Sequence, residues 1–161
     1  MDRTYNITFD NITVAGATTL VMLRPGTTAS IRVIRAWVSQ RQNATSAQVG
    51  IHLCTQAAAL PTTLTSATPV ALDRLGPASV ISGGTSAAAG TCGINAGTEG
   101  AGTRTILVPD CFNALNGWLW VPGPNDCIKI PASSASAFAM WFPAAPGTLQ
   151  GWCGGITYQE C

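Results

Sequence analysis

The sequence has few charged residues, and this scarcity excludes several classes of partner. Only 9% of the 161 residues are charged, and eight Lys or Arg against seven Asp or Glu leave a formal net charge of +1. Nucleic acids and anionic membranes attract clustered basic residues, so we expect neither as a partner. No apolar run approaches the roughly 20 residues of a membrane span. Residues 1–6 do not lead into the apolar stretch of a secretion signal, so we expect a chain made in the cytoplasm or one that has been trimmed.

The standard motifs of catalysis and metal binding are also missing. His52 is the only histidine, the acids are scattered, and no C-x-x-C, H-E-x-x-H, G-x-S-x-G, phosphate-loop or EF-hand pattern occurs. On a strand His52 and Cys54 would share a face and could form a nucleophile and base pair. A solvent-facing or cross-strand-packed histidine is the favoured alternative. We therefore expect no enzyme, no metal and no cofactor.

Six cysteines leave the redox chemistry of the chain open. In an oxidising setting they would form up to three disulfides with fifteen possible pairings, and buried free thiols are the equal alternative. If Cys153 and Cys161 share one strand, a rise of about 3.3 Å per residue keeps them too far apart to pair with each other. The six are Cys54, Cys92, Cys111, Cys127, Cys153 and Cys161.

What the sequence does contain favours β-structure. It is rich in Ala, Gly, Thr and Ser, has 17 Gly and 10 Pro, and lacks the helix formers that fill exposed helix faces. Alternating or short apolar runs bounded by turn residues predict about eight or nine strands. We predict a single domain over residues 1–161, all-β, with the antiparallel β-sandwich architecture of a jelly roll.

Two neighbouring segments predict a specific local structure. Residues 30–42 predict a bent strand, because the apolar positions Ile31 and Val33 shift by one residue to Ile34, Ala36 and Val38, as a β-bulge produces. Residues 45–54 alternate regularly, and a turn at residues 41–45 is predicted to join the two strands into an antiparallel hairpin.

A long segment in the middle of the chain predicts a loop. Pro61, Pro69 and Pro77 and two Gly-, Ala- and Thr-rich stretches predict a loop-rich insertion over residues 55–103, with a short strand near residues 91–94. A linker between two domains is the alternative. It is disfavoured because neither flank has enough strands to close a sandwich.

The tryptophans suggest a binding hypothesis. Trp118 and Trp120 share one face of a strand, and Trp37, Trp141 and Trp152 lie in other strands. Exposed indoles could stack on sugar rings, although packing in a core or interface is the commoner role of a strand tryptophan.

Four segments of the chain resemble small virion proteins of tailed bacteriophages. They are residues 5–14, residues 31–40, residues 111–122 and the closing stretch 138–160 with its Pro-Ala-Ala-Pro turn at residues 143–146. The sequence departs from the usual pattern in its cysteines and in the uncharged turn at residues 42–45, where acidic residues are expected.

The resemblance implies a jelly-roll-like sandwich that acts as a capsid cement or decoration protein on the outer surface of the virion. Its partners would be the major capsid protein and further copies of itself, most plausibly in a homotrimer, with a dimer as the alternative. It would be made in the cytoplasm of the bacterial host. Rival functions are a carbohydrate- or receptor-binding module of a head or tail fibre, and a secreted disulfide-stapled host protein.

Two regions are predicted to form the interface of such a protein. The first strand, with Tyr5, Ile7 and Phe9, could pair with a neighbour by strand addition, and the loop 75–102 could contact the lattice. An inner strand and a disordered loop are the equal alternatives. Trp118 and Trp120 are the candidates for subunit packing.

Overall fold

The computed structural model describes residues 3–41 and 45–161, which form thirteen β-strands and no helix. The abundance of β-branched residues and the scarcity of helix formers explain this outcome. The strands are β1 Thr4–Ile12, β2 Thr18–Arg24, β3 Ile31–Gln40, β4 Gln48–Ala57, β5 Thr65–Ser66, β6 Val70–Ala71, β7 Ser82–Gly83, β8 Thr91–Ile94, β9 Thr103–Asn113, β10 Trp118–Trp120, β11 Ile128–Ile130, β12 Ser136–Phe142 and β13 Trp152–Glu160.

The strands form two sheets that pack as a sandwich. Sheet A has the order β10-β3-β13-β1-β6, with β11 also on β3, and sheet B has the order β5-β8-β2-β12-β4-β9, with β7 also on β8. All pairings are antiparallel except β7 with β8. The four-strand sets β1-β13-β3-β10 and β2-β12-β4-β9 have the connectivity of a jelly roll. The predicted all-β antiparallel sandwich is confirmed, and β5, β6, β7, β8 and β11 are short additions to it.

The inner faces of the sheets share one apolar core. Alternate residues of each strand point into it, as the two-residue period of a strand requires. Phe142 and Trp152 meet edge to face with ring centroids 5.1 Å apart, and Tyr5 and Tyr158 lie 5.5 Å apart. The chain before and the chain after the 55–103 insertion contribute strands to the same sheets. β1 pairs with β13 in sheet A, and β4 pairs with β9 in sheet B.

The bulge predicted in β3 is present at Ile34. Thr157 pairs with Arg35 and Tyr158 with Val33, so Ile34 has no partner on β13. The extra residue keeps Val33 and Ala36 in the core on either side of it. The short strand predicted near residues 91–94 is also confirmed as β8.

The predicted hairpin between β3 and β4 is wrong. In the jelly roll consecutive long strands alternate between sheets, so β3 pairs with β10, β11 and β13 while β4 pairs with β9 and β12. Each strand has its own alternating pattern, but that pattern does not identify the partner. Residues 42–44 of the predicted turn lie outside the described residues.

Part of the 55–103 insertion covers the outer face of sheet B. We call residues 58–64, 84–90 and 95–102, which flank β5 and β8, the covering segment. Its apolar residues Leu64, Ala87 and Ala96 form a second core with outward-facing residues of sheet B such as Met22 and Cys54. The outer faces of β2, β12 and part of β4 are therefore shielded by the chain itself, whereas β9 is largely exposed.

Backbone bonds and one carboxylate fasten the covering segment to the sheet. The amides of Asn95 and Ala96 donate to β2 carbonyls, both at 3.0 Å. Glu99 accepts hydrogen bonds from the backbone amide and the hydroxyl of Thr19, the latter at 2.7 Å, and forms an ion pair with Arg104. The guanidinium of Arg104 lies over the Trp141 ring, 4.3 Å from its centroid. The segment is thus bound to β2, β9 and β12 together.

Candidate interaction surface

The covering segment lies on sheet B and does not cover the outer face of sheet A. We call this outer face of sheet A the open face. The strand registers arrange its side chains in three rows across the sheet. One row is Leu119, Trp37, Gly155 and Thr8; the next is Arg35, Thr157, Asn6 and Val70; the third is Lys129, Arg32, Gln159, Thr4 and Leu72.

Trp37 forms an aromatic centre on this face. It is half-buried and lies toward Gly155, where an added Cβ would come within 3.1 Å of the indole. The Arg35 guanidinium lies over the ring, 4.6 Å from its centroid. Beside it Leu119 is 60% exposed. The result is a broad apolar contact area with a cation on it, of the composition found at protein interfaces.

Cross-strand hydrogen bonds order the polar part of the open face. The Thr157 hydroxyl donates to Asn6 Oδ1 at 2.7 Å, and Gln159 Nε2 donates to the Thr4 hydroxyl at 3.5 Å. These side chains are held in place by the sheet, so a partner would meet a surface that needs little ordering.

The charges in the three rows of the open face have one sign, and Asp10, further along β1 on the same face, is paired with Arg41. The three rows carry Arg32, Arg35 and Lys129 and no carboxylate. The ion pairs of the described chain join Arg3 to Glu160, Arg41 to Asp10 and Arg104 to Glu99, and none of them involves these three cations. The face is therefore complementary to an acidic surface.

The predicted interface residues of the first strand lie in the core. Tyr5, Ile7 and Phe9 are 1%, 0% and 3% exposed. β1 is an inner strand that pairs with β13 along its length and with β6 at Tyr5 and Asn6. The side chains proposed for contact with a neighbour are thus used to join the two sheets.

The predicted packing residues Trp118 and Trp120 lie on β10, the edge strand of sheet A. Both side chains turn toward the core, Trp118 at 9% exposure with its Nε1 donating to Asp110 Oδ2 at 2.8 Å, and Trp120 half-buried. Leu119 between them is the residue that reaches solvent, because strand side chains alternate.

The other tryptophans are packed as well. Trp152 is fully buried, and Trp141 lies under Arg104 and against His52, whose ring centroid is 5.6 Å away. The sequence pattern indicates Trp37 as a candidate but not its neighbours Arg35 and Leu119. Placing the β3 bulge at Ile34 would have identified Arg35 and Trp37 as outward-facing.

The predicted contact loop at residues 75–102 is mostly part of the covering segment. Its apolar residues Ala87 and Ala96 pack on sheet B. Leu75, however, is 89% exposed in the stretch between β6 and β7. Most of the loop is therefore bound to the sandwich rather than projecting from it.

The six cysteines are free thiols in different environments. Cys54 and Cys92 are buried, and burial raises the pKa of the Cys54 thiol to about 11 and that of Cys92 to about 12. Cys111 and Cys161 are exposed, and Cys127 and Cys153 are half-buried. Cys153 lies on β13 opposite Ser39, with its Sγ 3.2 Å from the Ser39 hydroxyl.

The described residues contain no group of three or more His, Cys, Asp or Glu that could hold a metal ion. His52 pairs across the strands with Trp141, which is the cross-strand packing favoured from the sequence. Within residues 3–41 and 45–161 no helix is long and apolar enough to cross a membrane.

Comparison with known proteins adds no family to this description. No protein-family model, no curated protein and no solved structure matches the chain.

Proposed function

We propose that this chain is a structural virion protein, a capsid decoration protein that binds the outer surface of the major capsid protein lattice through its open face. The observation that carries the proposal is the asymmetry of the sandwich. One sheet is largely shielded by the covering segment, and the other presents Trp37, Leu119 and three cations that form no ion pair within the described residues. The resemblance to small phage virion proteins supports the choice of the capsid as the partner.

The size of the open face sets the strength of a single contact. Five strands about 4.8 Å apart and three rows about 6.6 Å apart give an area of about 500 Å². A standard interface covers about 800 Å² per partner. A single copy would therefore bind the capsid weakly, and stable binding requires several copies that are bound to each other.

Self-association would supply that multivalency. Ile106, Leu107 and Val121 are 44%, 43% and 62% exposed on β9 and just after β10. The bond from Trp118 to Asp110 brings these two strands together on one side of the sandwich. This apolar side fits contact between copies in a closed trimer, and a trimer seats three open faces at once.

Electron microscopy of intact virions of the phage that encodes this chain tests the proposal. We expect copies on the outer shell in numbers comparable to the capsid subunits, with sheet A facing the shell. A few copies at the tail, or none in the particle, would overturn it.

A binding assay tests the surface itself. We expect Leu119→Asp to reduce binding to heads that lack the protein by at least about tenfold, because it places a charge beside Trp37 in the apolar part of the contact. Leu75→Asp is the matched control, since Leu75 is also exposed but lies outside the open face. Equal loss in both variants would show that the open face is not the binding surface.

A further inference from the structure

A pocket lies at one end of the open face, where β3, β11 and the residue after β13 meet. It has a volume of about 420 Å³. Ser30, Arg32, Lys129, Pro131 and Cys161 line it from the outer side of the sheet. The backbones of Ser30 and Cys161 exchange two hydrogen bonds of 3.1 and 3.0 Å, which extends the β3–β13 ladder and closes one wall.

Two cationic side chains lie next to each other in this pocket. Lys129 and Arg32 are directly opposite each other in the β11–β3 register. Like charges in that position repel each other across a sheet. The ion pairs of the described chain leave both without a carboxylate, and Glu160 on neighbouring β13 faces the other way, where it accepts a hydrogen bond from Ser79.

The Arg32 guanidinium is held in place but is not satisfied. It donates from Nη2 to the Pro124 carbonyl, which anchors the group to the turn before β11. Its Nε is buried and has no hydrogen-bond partner in the structure. An oriented guanidinium next to a second cation is the arrangement that binds a carboxylate in proteins.

The rest of the pocket is apolar. Pro131 and the adjoining parts of Ile31 and Ile130 line it together with the stems of the two basic side chains. A ligand that fits must combine a carboxylate with an aliphatic group. A free inorganic anion would leave this apolar lining in contact with water.

We propose that this pocket binds an acidic peptide segment of the partner, with a Glu or Asp carboxylate on Arg32 and Lys129 and a neighbouring aliphatic side chain on Pro131. The inference deepens the proposed function and rests on the open face being a binding surface. It names what the partner must present there. The partner's identity as a capsid subunit is not needed for the test below.

Nuclear magnetic resonance titration of the purified chain tests the site. The probe is the blocked tripeptide acetyl-Leu-Glu-Leu-amide, and the uncharged control peptide is acetyl-Leu-Gln-Leu-amide. We expect shift changes at Ser30, Arg32 and Lys129 with the Glu peptide, and at least about tenfold weaker binding of the Gln peptide, since charge-assisted bonds are about twice as strong as neutral ones. Inorganic phosphate, titrated separately, should bind more weakly than the Glu peptide.

Substitutions distinguish binding of the peptide in this pocket from a general effect of the net charge of the chain. Arg32→Gln and Lys129→Gln should each weaken the Glu peptide at least about tenfold, while Arg74→Gln, which removes an exposed cation far along the chain, should leave binding unchanged. Equal binding of both peptides, no binding of either, or equal losses in all three variants would overturn the inference. Peptide binding without capsid binding would instead refute the proposed function alone.

Discussion

Glu99→Ala should destabilise the chain more than any ordinary surface substitution. The change leaves the amide and hydroxyl of Thr19 without their acceptor and Arg104 without its ion-pair partner. A buried donor without an acceptor costs about 1–3 kcal/mol. The ion pair is only partly shielded, with side chains 16% and 22% exposed, and we assign it a further 1 kcal/mol, roughly. The expected loss is about 3 kcal/mol.

The assay is urea unfolding followed by tryptophan fluorescence, with a thermal scan in parallel. For a chain of this size a loss of about 3 kcal/mol lowers Tm by about 6–12 °C. Limited proteolysis should cut the covering segment first, because Glu99 supplies its side-chain bonds to β2 and β9. Arg104 should keep its contact with Trp141, 4.3 Å from the ring centroid, so the sandwich itself should remain folded.

Asp73→Ala is the matched control. Asp73 also accepts a hydrogen bond from a backbone amide, that of Leu75 at 3.0 Å, but it is exposed and forms no ion pair within the described residues. Its removal should cost less than about 1 kcal/mol. If Glu99→Ala and Asp73→Ala cost the same, the attachment of the covering segment does not depend on Glu99 and the reasoning is refuted.

Three further predictions concern the sheets and the thiols. Gly155→Ala should cost about 1–3 kcal/mol or more, because the new Cβ would lie 2.3 Å from a β1 carbonyl oxygen, whereas Gly16→Ala, with nothing within 4 Å, should be neutral; equal urea midpoints would contradict this. Ile7→Ala should cost about 2–5 kcal/mol, and a change near zero would show that β1 does not supply the core. Because the folded pKa of Cys54 and Cys92 lies above the value of 9.0 for a free thiol, stability is retained below pH 9. Above pH 9 the free energy of unfolding should fall by roughly 1 kcal/mol per pH unit for each thiol. A free energy of unfolding that stays constant from pH 9 to 10.5, measured by urea titration, would refute this prediction.

Local patterns in the sequence predicted those features of the fold that depend on neighbouring residues. The shift from Val33 to Ala36 in the buried pattern is sufficient to place the bulge in β3, and the turn residues around β8 are sufficient to define that strand. The buried alternation of Tyr5, Ile7 and Phe9 predicts a strand equally well. It does not tell whether the apolar side faces a core or a neighbour.

Pairing across the sandwich could not be predicted in the same way. The predicted β3–β4 hairpin is wrong because strands that are adjacent along the chain of a jelly roll lie in different sheets. The open face depends on registers between distant strands, such as Leu119 with Trp37 and Trp37 with Gly155. No pattern within one strand contains that information, so the open face around Trp37 can be identified only from the fold.

The position of β13 at the centre of sheet A has a consequence for the order of folding. β1 and β3 are both held by β13, and the bond from Thr157 to Asn6 joins residues 151 positions apart. Until residues 152–160 leave the ribosome, β1 and β3 have no shared partner, and the apolar side of each has no completed sheet to enter. Sheet A can therefore close only after residues 152–160 have been synthesised, at the slow rates typical of contacts between residues far apart in the sequence. A chain stopped before β13 would expose two unpaired strand edges, which makes premature termination an aggregation hazard for this protein.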